Sequence, residues 1–260
     1  MGYETEVSRA ILKTFTEEFK QRIRSQVIIV GAGPSGLVCA WRLAQKGLQV
    51  TILEKRLTPG GGLWGGGMGM GESIVESAEA PLLDELAVHY RTADEGLLVA
   101  QAAELASALV LRALQSGAAL LNLTYLEDLV VKKGRVTGVV VNRTLVGEML
   151  PVDPLALDAR AVLDATGHEA VAASLLIRRA LLPPGRGTGG EGPMDARAAE
   201  AFVVANTQEI CPGLFLAGMS VCSVLGGPRM GPIFGGMLRS GARAAEIISS
   251  ALEAAPMEEE

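Results

Sequence analysis

An α/β fold built on a mostly parallel sheet is predicted by three features of the chain. A continuous apolar run, Val27–Val30, leads into a glycine-rich turn, Gly31-Ala-Gly33-Pro-Ser-Gly36, and then a helical segment. A second apolar run ends on an acidic residue, Glu54. Beyond it, strand-like and helix-like segments alternate, as repeated βαβ units require. Unbroken apolar strands are what a parallel sheet covered on both faces needs.

The elements follow in order. Val7, Ile11, Leu12, Phe15 and Phe19 recur at helical spacing, predicting an amphipathic helix over residues 5–22 ahead of the main fold. The helix after the glycine turn is expected from about Ser35 to Lys46, with Gly47 closing it. The next strand is expected over Leu48–Leu53. "PGGGLWGGGMGMG" carries too much glycine for any regular element. Helices are expected near 73–90, which would carry His89 as a structural or peripheral residue, and near 99–116. "AALLNLTYLEDLVVKKGRVTGVVVNRTLVG" reads as strands with a turn at Lys132-Lys133-Gly134, hence a β-meander. "ARAVLDATG" is a further buried strand, and residues 183–194 have the composition of a mobile loop. "GLFLAGM" is a late strand and 233–252 a closing helix. Residues 1–252 read as one dinucleotide-binding domain with small inserted β and loop elements, and 253–260 as a disordered tail.

Composition narrows the function. The 260 residues are 49% hydrophobic, ample for a large core, and only 4% aromatic, so that Ala and Leu must fill it. A net charge of −6 without a basic block argues against nucleic acid or an anionic membrane surface as partner. Cys39, Cys211 and Cys222 are odd in number and make no CxxC pair, which fits a reducing compartment. The charged N-terminus lacks the apolar core of a signal peptide, and no apolar run reaches about 18 residues. A soluble cytoplasmic protein is expected.

Gly31, Gly33 and Gly36 match GxGxxG, a weak motif alone. Here it lies between strand and helix with Glu54 ending the next strand, the setting the dinucleotide fingerprint requires. Gly31 allows the tight turn, Gly33 lets backbone approach a pyrophosphate, and Gly36 lets helix and strand pack. The helix N-terminus then faces the phosphates. Glu54 suits a ribose and repels a 2′-phosphate, so the ligand should be NAD-like or FAD-like. Flavoprotein oxidoreductases of the glutathione-reductase type share such a turn, but many carry a late Gly-Asp pair. Here the place reads Gly218-Met219.

"GAGPSGL", "PGGGLWGGGM", "VDP", "DATGHEA", "LFLAGM" and "PRMGPIFGGM" occur in the order and approximate spacing of the thiamine thiazole synthases of the Thi4 type. The chain resembles that family over about residues 10–252. The resemblance implies a reaction that consumes NAD as substrate. Nicotinamide leaves, the ADP-ribose opens and isomerises to a ketone, and glycine condenses as an imine. Sulfur addition and cyclisation with loss of water then give an ADP-linked thiazole carboxylate, assisted by Fe(II). It further implies that Asp153 and His168 are the iron ligands, contributed by neighbouring subunits of a homo-octamer, and that Arg229 grips the glycine carboxylate. Ser35, Lys55, Gly62, Val130, Pro151, Val152 and Met219 join Gly31, Gly33, Gly36 and Glu54 as nucleotide-binding positions on the same ground. The residue types suit the roles: a carboxylate and an imidazole leave open positions on Fe(II), and a guanidinium fork matches a carboxylate.

Two residues before the aspartate, fungal and plant members of the family it resembles carry a cysteine that surrenders its sulfur, and methanogen members a histidine. Here the position is Pro151, whose ring has neither sulfur nor a transferable proton. The expectation is therefore a multi-turnover catalyst using free sulfide. The alternatives are an FAD-dependent oxidoreductase, an isomerase acting on a ribose phosphate, and a non-catalytic nucleotide-binding or stress protein. Without the resemblance, His168 reads as a hydrogen-bonded loop residue, Asp153 as a turn starter and Arg229 as a surface or phosphate contact.

Overall fold

The computed structural model describes residues 2–145, 152–182 and 190–254. Helix α1 (Tyr3–Arg22) leads into β1 (Arg24–Val30), α2 (Pro34–Gln45) and β2 (Val50–Leu53). After short 3-10 turns in the glycine-rich segment come β3 (Glu72–Glu76), α3 (Ala80–Glu85), β4 (Tyr90–Thr92), β5 (Leu97–Gln101) and α4 (Ala102–Gln115). Next are β6 (Ala119–Leu121), β7 (Thr124–Lys132), β8 (Arg135–Arg143), β9 (Leu155–Asp164) and α5 (Val171–Arg178). The chain closes with β10 (Gly192–Met194), α6 (Ala196–Ala205), β11 (Gln208–Cys211), β12 (Leu214–Leu216), α7 (Met219–Leu225), β13 (Pro228–Arg229) and α8 (Gly235–Ala254).

The main sheet runs β11-β12-β9-β1-β2-β6, and all neighbours from β12 to β6 are parallel. The first part of β9 pairs antiparallel with β8, and β8 with β7, which is the predicted meander. Its turn places Lys133 and Gly134 at positive φ, as a two-residue hairpin requires. Apolar side chains of β1 alternate between two cores. Val27 and Ile29 pack with α2, α4 and α8, whereas Ile28 and Val30 face the meander, α5 and α7. Such a doubly covered sheet explains the unbroken apolar strands. Because β1, β2, β9 and β12 are parallel, their C-terminal ends lie together: Val30 pairs with Leu53 and Asp164, and Asp164 with Leu216.

The helix expected over 73–90 is instead β3, a turn, the six-residue α3 and β4. Ser73, Ile74 and Val75 pair across to Ala100, Val99 and Leu98, and tertiary pairing of β-branched residues outweighs their accidental helical spacing. Pro81 sits in the first turn of α3, where a missing N–H costs nothing. His89 therefore lies off any helix, with Nδ1 2.7 Å from Glu104. The helix expected from 99 begins only at Ala102, after β5. Of the 183–194 segment, Gly192–Met194 forms β10 against β13 and 183–189 lie outside the described residues. Helix α8 carries the chain to Ala254, so that part of the expected tail is helical, and 255–260 lie outside the described residues. Helix α1 forms as expected, but Ile11, Leu12 and Phe15 of its apolar stripe are exposed. No helix among the described residues is long and apolar enough to cross a membrane.

A charged cluster clamps the start of α8. Arg239 reaches Glu76, Glu79 and Glu200, each at 2.9 Å, so three carboxylates share one guanidinium. Burial pushes the Glu79 carboxyl up from 4.5 to about 7, opposed by Arg239 and reinforced by the Glu200 and Glu76 charges. The folded protein thus holds a proton on Glu79 more tightly than the unfolded chain does. That contribution to stability is complete below about 4.5 and is lost as pH rises to about 7. Glu79→Gln removes the titration, so the melting temperature of wild type relative to the variant is expected to fall between these limits, as calorimetry at a series of pH values would show.

Candidate functional site

A cleft of about 820 Å³ opens at the C-terminal ends of β1, β2 and β9. That is where ligands bind in parallel α/β sheets. Gly31 enters the turn at φ +102°, and a Cβ there would lie 2.5 Å from the Ala165 carbonyl oxygen. Only glycine therefore allows β1 to turn against the end of β9. Gly33 precedes α2 in extended conformation with Pro34 in the first turn, and the space a Gly33 side chain would take is open. Gly33, Pro34 and Ser35 line the cleft, so the N-terminal end of α2, the positive end of its dipole, faces it. Glu54 is buried and held by two backbone donors: Ala32 N–H gives to Oε2 at 3.0 Å and Arg56 N–H to Oε1 at 2.8 Å. Its carboxylate is aimed before any ligand arrives.

The opposite wall is the turn after β9. Asp164 is fully buried and accepts from Thr166 N–H and Oγ1–H, Ser220 Oγ–H and Ala173 N–H, at 2.7–3.1 Å. Burial pushes its carboxyl up while these hydrogen bonds pull it down. The network pins residues 164–173 to α7, and Thr166 Oγ1 accepts in turn from Val171 N–H. His168 sits on the 3-10 turn Gly167–Glu169 and faces the cleft. Its carbonyl accepts from Ser223 Oγ–H at 2.9 Å, and its Nδ1 meets Glu191 at 2.5 Å. Next to it, Glu169 pairs with Lys55 at 2.6 Å, linking the end of β2 to the turn after β9.

Arg229 reaches the cleft from β13, whose partner β10 aligns Met194 with it, and its carbonyl accepts from Asp195 N–H. Asp195 also caps α6, its side chain accepting from Ala198 N–H. Gly31, Gly33, Ser35, Glu54, Lys55, Gly62, His168, Met219 and Arg229 are thereby gathered in one cleft. Other expected positions are elsewhere. Gly36 lies beneath the turn, where a Cβ would be 2.1 Å from the Gly31 carbonyl oxygen. Val130 is on β7, whose Thr124–Leu126 lines the cleft instead. Val152 and Asp153 are exposed ahead of β9 and do not line the cleft of their own chain; Pro151 is outside the described residues. Among the described residues, no group of three or more His, Cys, Asp or Glu is placed to hold a metal. Glu169 and Glu191 were not foreseen: Glu191 is an isolated charge in a glycine-rich run, and nothing in its spacing connects it with His168.

The Thi4 family model matches residues 8–234, from within α1 to the start of α8. The chain belongs to the Thi4 family. Thiamine thiazole synthase of Thermotoga maritima is 46% identical over 95% of this chain and 97% of its own length. That of Thermococcus kodakarensis is 45% identical over 93% and 96%. A crystal structure of Thermovibrio ammonificans THI4 superposes with a TM-score of 0.93 at 40% identity, covering 97% of this chain and 99% of that one. The predicted fold and family resemblance are thus both met, and the chain is an enzyme of thiazole formation in thiamine biosynthesis.

The thiols of this Thi4 chain are all withdrawn. Cys39 in α2, Cys211 in β11 and Cys222 in α7 are buried, and none lines the cleft. Burial, with the Glu191 charge adding to it, pushes the Cys222 thiol up to about 12. A thiol so placed is a poor nucleophile. Iodoacetamide at pH 8 is therefore expected to leave the native protein unmodified and to label three sites once it is unfolded, by intact mass.

Proposed function

We propose that the enzyme makes an ADP-linked thiazole carboxylate from NAD, glycine and free sulfide, releasing nicotinamide, in an Fe(II)-dependent reaction of many turnovers. One observation carries the reading: a single cleft joins a GxGxxG turn and a buried, backbone-held carboxylate to an imidazole and a guanidinium, with no thiol facing it. The α2 N-terminus binds the pyrophosphate and Glu54 the adenosine ribose. These contacts hold the nucleotide through opening and ring closure, so intermediates stay bound. Arg229 pairs with the glycine carboxylate and sets the direction from which its amine approaches the sugar carbon. Lys55, tethered to Glu169, lends positive charge beside the nucleotide.

The donor set fits Fe(II). His168, half-exposed and lining the cleft, would supply nitrogen and Asp153 oxygen, a mixed set suited to that ion. Asp153 stands exposed and outside its own cleft, which supports sites completed by a neighbouring copy within a homo-octamer. When bound, the metal supplies Lewis acidity and a template for the substrate's nitrogen and oxygen. Pro151 offers no sulfur, and the three thiols are buried away from the cleft, so sulfur comes from solution.

Anaerobic incubation with NAD, glycine, Fe(II) and sulfide, read by mass spectrometry, tests this directly. More than one thiazole nucleotide per subunit with an unchanged protein mass is expected. No thiazole, or a chain lighter by one sulfur, sinks the reading. Arg229→Ala should raise the KM for glycine by about tenfold or more, as loss of a charge-assisted hydrogen bond implies, with NAD affinity unchanged. Asp153→Ala and His168→Ala subunits, each inactive alone, should regain part of the activity when dissociated and reassembled together. An active monomer in light scattering would overturn the shared site.

A further inference from the structure

We infer that Glu191 is the positioning residue of His168: its carboxylate accepts a hydrogen bond from Nδ1–H, which keeps the proton on Nδ1 and leaves Nε2 as the bare nitrogen presented to the cleft. This rests on the proposed role of His168 as a metal ligand and specifies how the fold prepares it.

The Glu191 Oε1 to His168 Nδ1 distance is 2.5 Å. A carboxylate can only accept, so Nδ1 is the donor, and a neutral imidazole with its proton there carries its lone pair on Nε2. The two partners differ in exposure: the His168 side chain is 54% exposed and that of Glu191 13%. Glu191 is not among the residues lining the cleft. It stands behind the ring and acts through it.

The backbone that carries Glu191 is itself held. Gly192 N–H donates to the Gly227 carbonyl at 2.9 Å, and β10 then pairs with β13 through Gly192–Pro228 and Met194–Arg229. One short ribbon therefore sets both Glu191 and Arg229. Against α7, the Glu191 charge raises the Cys222 thiol, as expected of a carboxylate packed beside that helix. The backbone of His168 is tied to the same helix, its carbonyl accepting from Ser223 Oγ–H at 2.9 Å. Ring and backbone are thus fixed from two sides. The neighbouring acid, Glu169, is engaged by Lys55 and does not compete for the imidazole. A ligating histidine gains from such an arrangement because its other nitrogen fixes ring orientation and tautomer and raises the basicity of the ligating one.

Two measurements test the inference. The chain has two histidines, so Nitrogen-15 labelling of histidine in a His89→Gln background isolates His168. Solid-state NMR of the metal-free protein should show a protonated Nδ1 and a bare Nε2. Glu191→Ala should shift the populations, and Glu191→Gln, which keeps an accepting oxygen, should retain them. A protonated Nε2 in the Glu191-containing protein, or a spectrum indifferent to Glu191→Ala, overturns the inference. The second measurement titrates Co(II), a redox-silent probe, into the full assembly and follows its visible absorption, with NAD affinity as the control for folding. Glu191→Ala should weaken Co(II) binding by about 10–100-fold and Glu191→Gln by less, with NAD affinity unchanged. Wild-type affinity in Glu191→Ala, with Co(II) binding lost in His168→Ala, overturns this inference and leaves the metal reading standing. Equal Co(II) binding by His168→Ala and wild type overturns the metal reading and the inference with it.

Discussion

The ends of β1 and β9 meet with no room for a side chain between them, and the cleft depends on that contact. A Cβ on Gly31 would lie 2.5 Å from the Ala165 carbonyl oxygen, and one on Gly36 2.1 Å from that of Gly31. From the far side, α8 presses Gly241 onto the start of α2, where a Cβ would be 2.3 Å from the Ser35 carbonyl oxygen. Helix α2 is consequently held by backbone packing at its first turn, the place the proposed function assigns to the dinucleotide's phosphates. Interiors packed at this density do not yield by fractions of an ångström without cost. A ligand here meets a surface whose shape was settled during folding.

The second wall is built on polar contacts. Asp164 ends β9 inside the protein, and its four accepted hydrogen bonds bind the following turn to α5 and α7. A buried carboxylate would be costly alone; with its lone pairs occupied it becomes a fixed hub. The apolar strand register carries Asp164 to the same level as Val30 and Leu216. The turn bearing His168 is thereby placed opposite the α2 N-terminus by the sheet itself. Core packing and active-site placement are one constraint, since a slip of β9 by one residue would move Asp164 to the other face.

What could be read from the sequence follows from the range of the interactions involved. The β1–α2–β2 unit and the hairpin at Lys133-Gly134 are specified within a few residues, and both stand where expected. Segment 73–90 was misread because Ile74, Val75, Leu82, Leu83 and Leu86 mimic helical spacing, while the pairing that decides for strand lies at residues 97–101. Helices α5, α6 and α7 went unpredicted for a related reason: they are short and held by tertiary contacts. In the site, glycines and Glu54 announce themselves through their position between strand and helix. Glu191 does not, because its partner is 23 residues away and the two meet only when β10 lies along β13. Asp153 could be proposed from its motif, yet nothing local reveals that it lies outside the lining of its own cleft.

The position of Asp153 outside the cleft that His168 lines bears on how the proposed chemistry would be organised. If the two protein donors come from different subunits, as proposed, the metal site would gain little from chelation by one chain, and substrate would have to supply the remaining donors. Loose coordination suits a template that has to accept substrate atoms and release product. It also places a larger share of the binding energy on how each protein donor is prepared in advance. For His168 the preparation is visible: its backbone is tied to α7 and its Nδ1 to Glu191. An imidazole free to rotate would lose rotamer entropy on binding a metal, of the order of a fraction to about 1 kcal/mol for an ordinary side chain. A ring already fixed has met that cost on folding. A weak site can thus be selective in geometry without being tight, which is what a reaction that must let its product go requires.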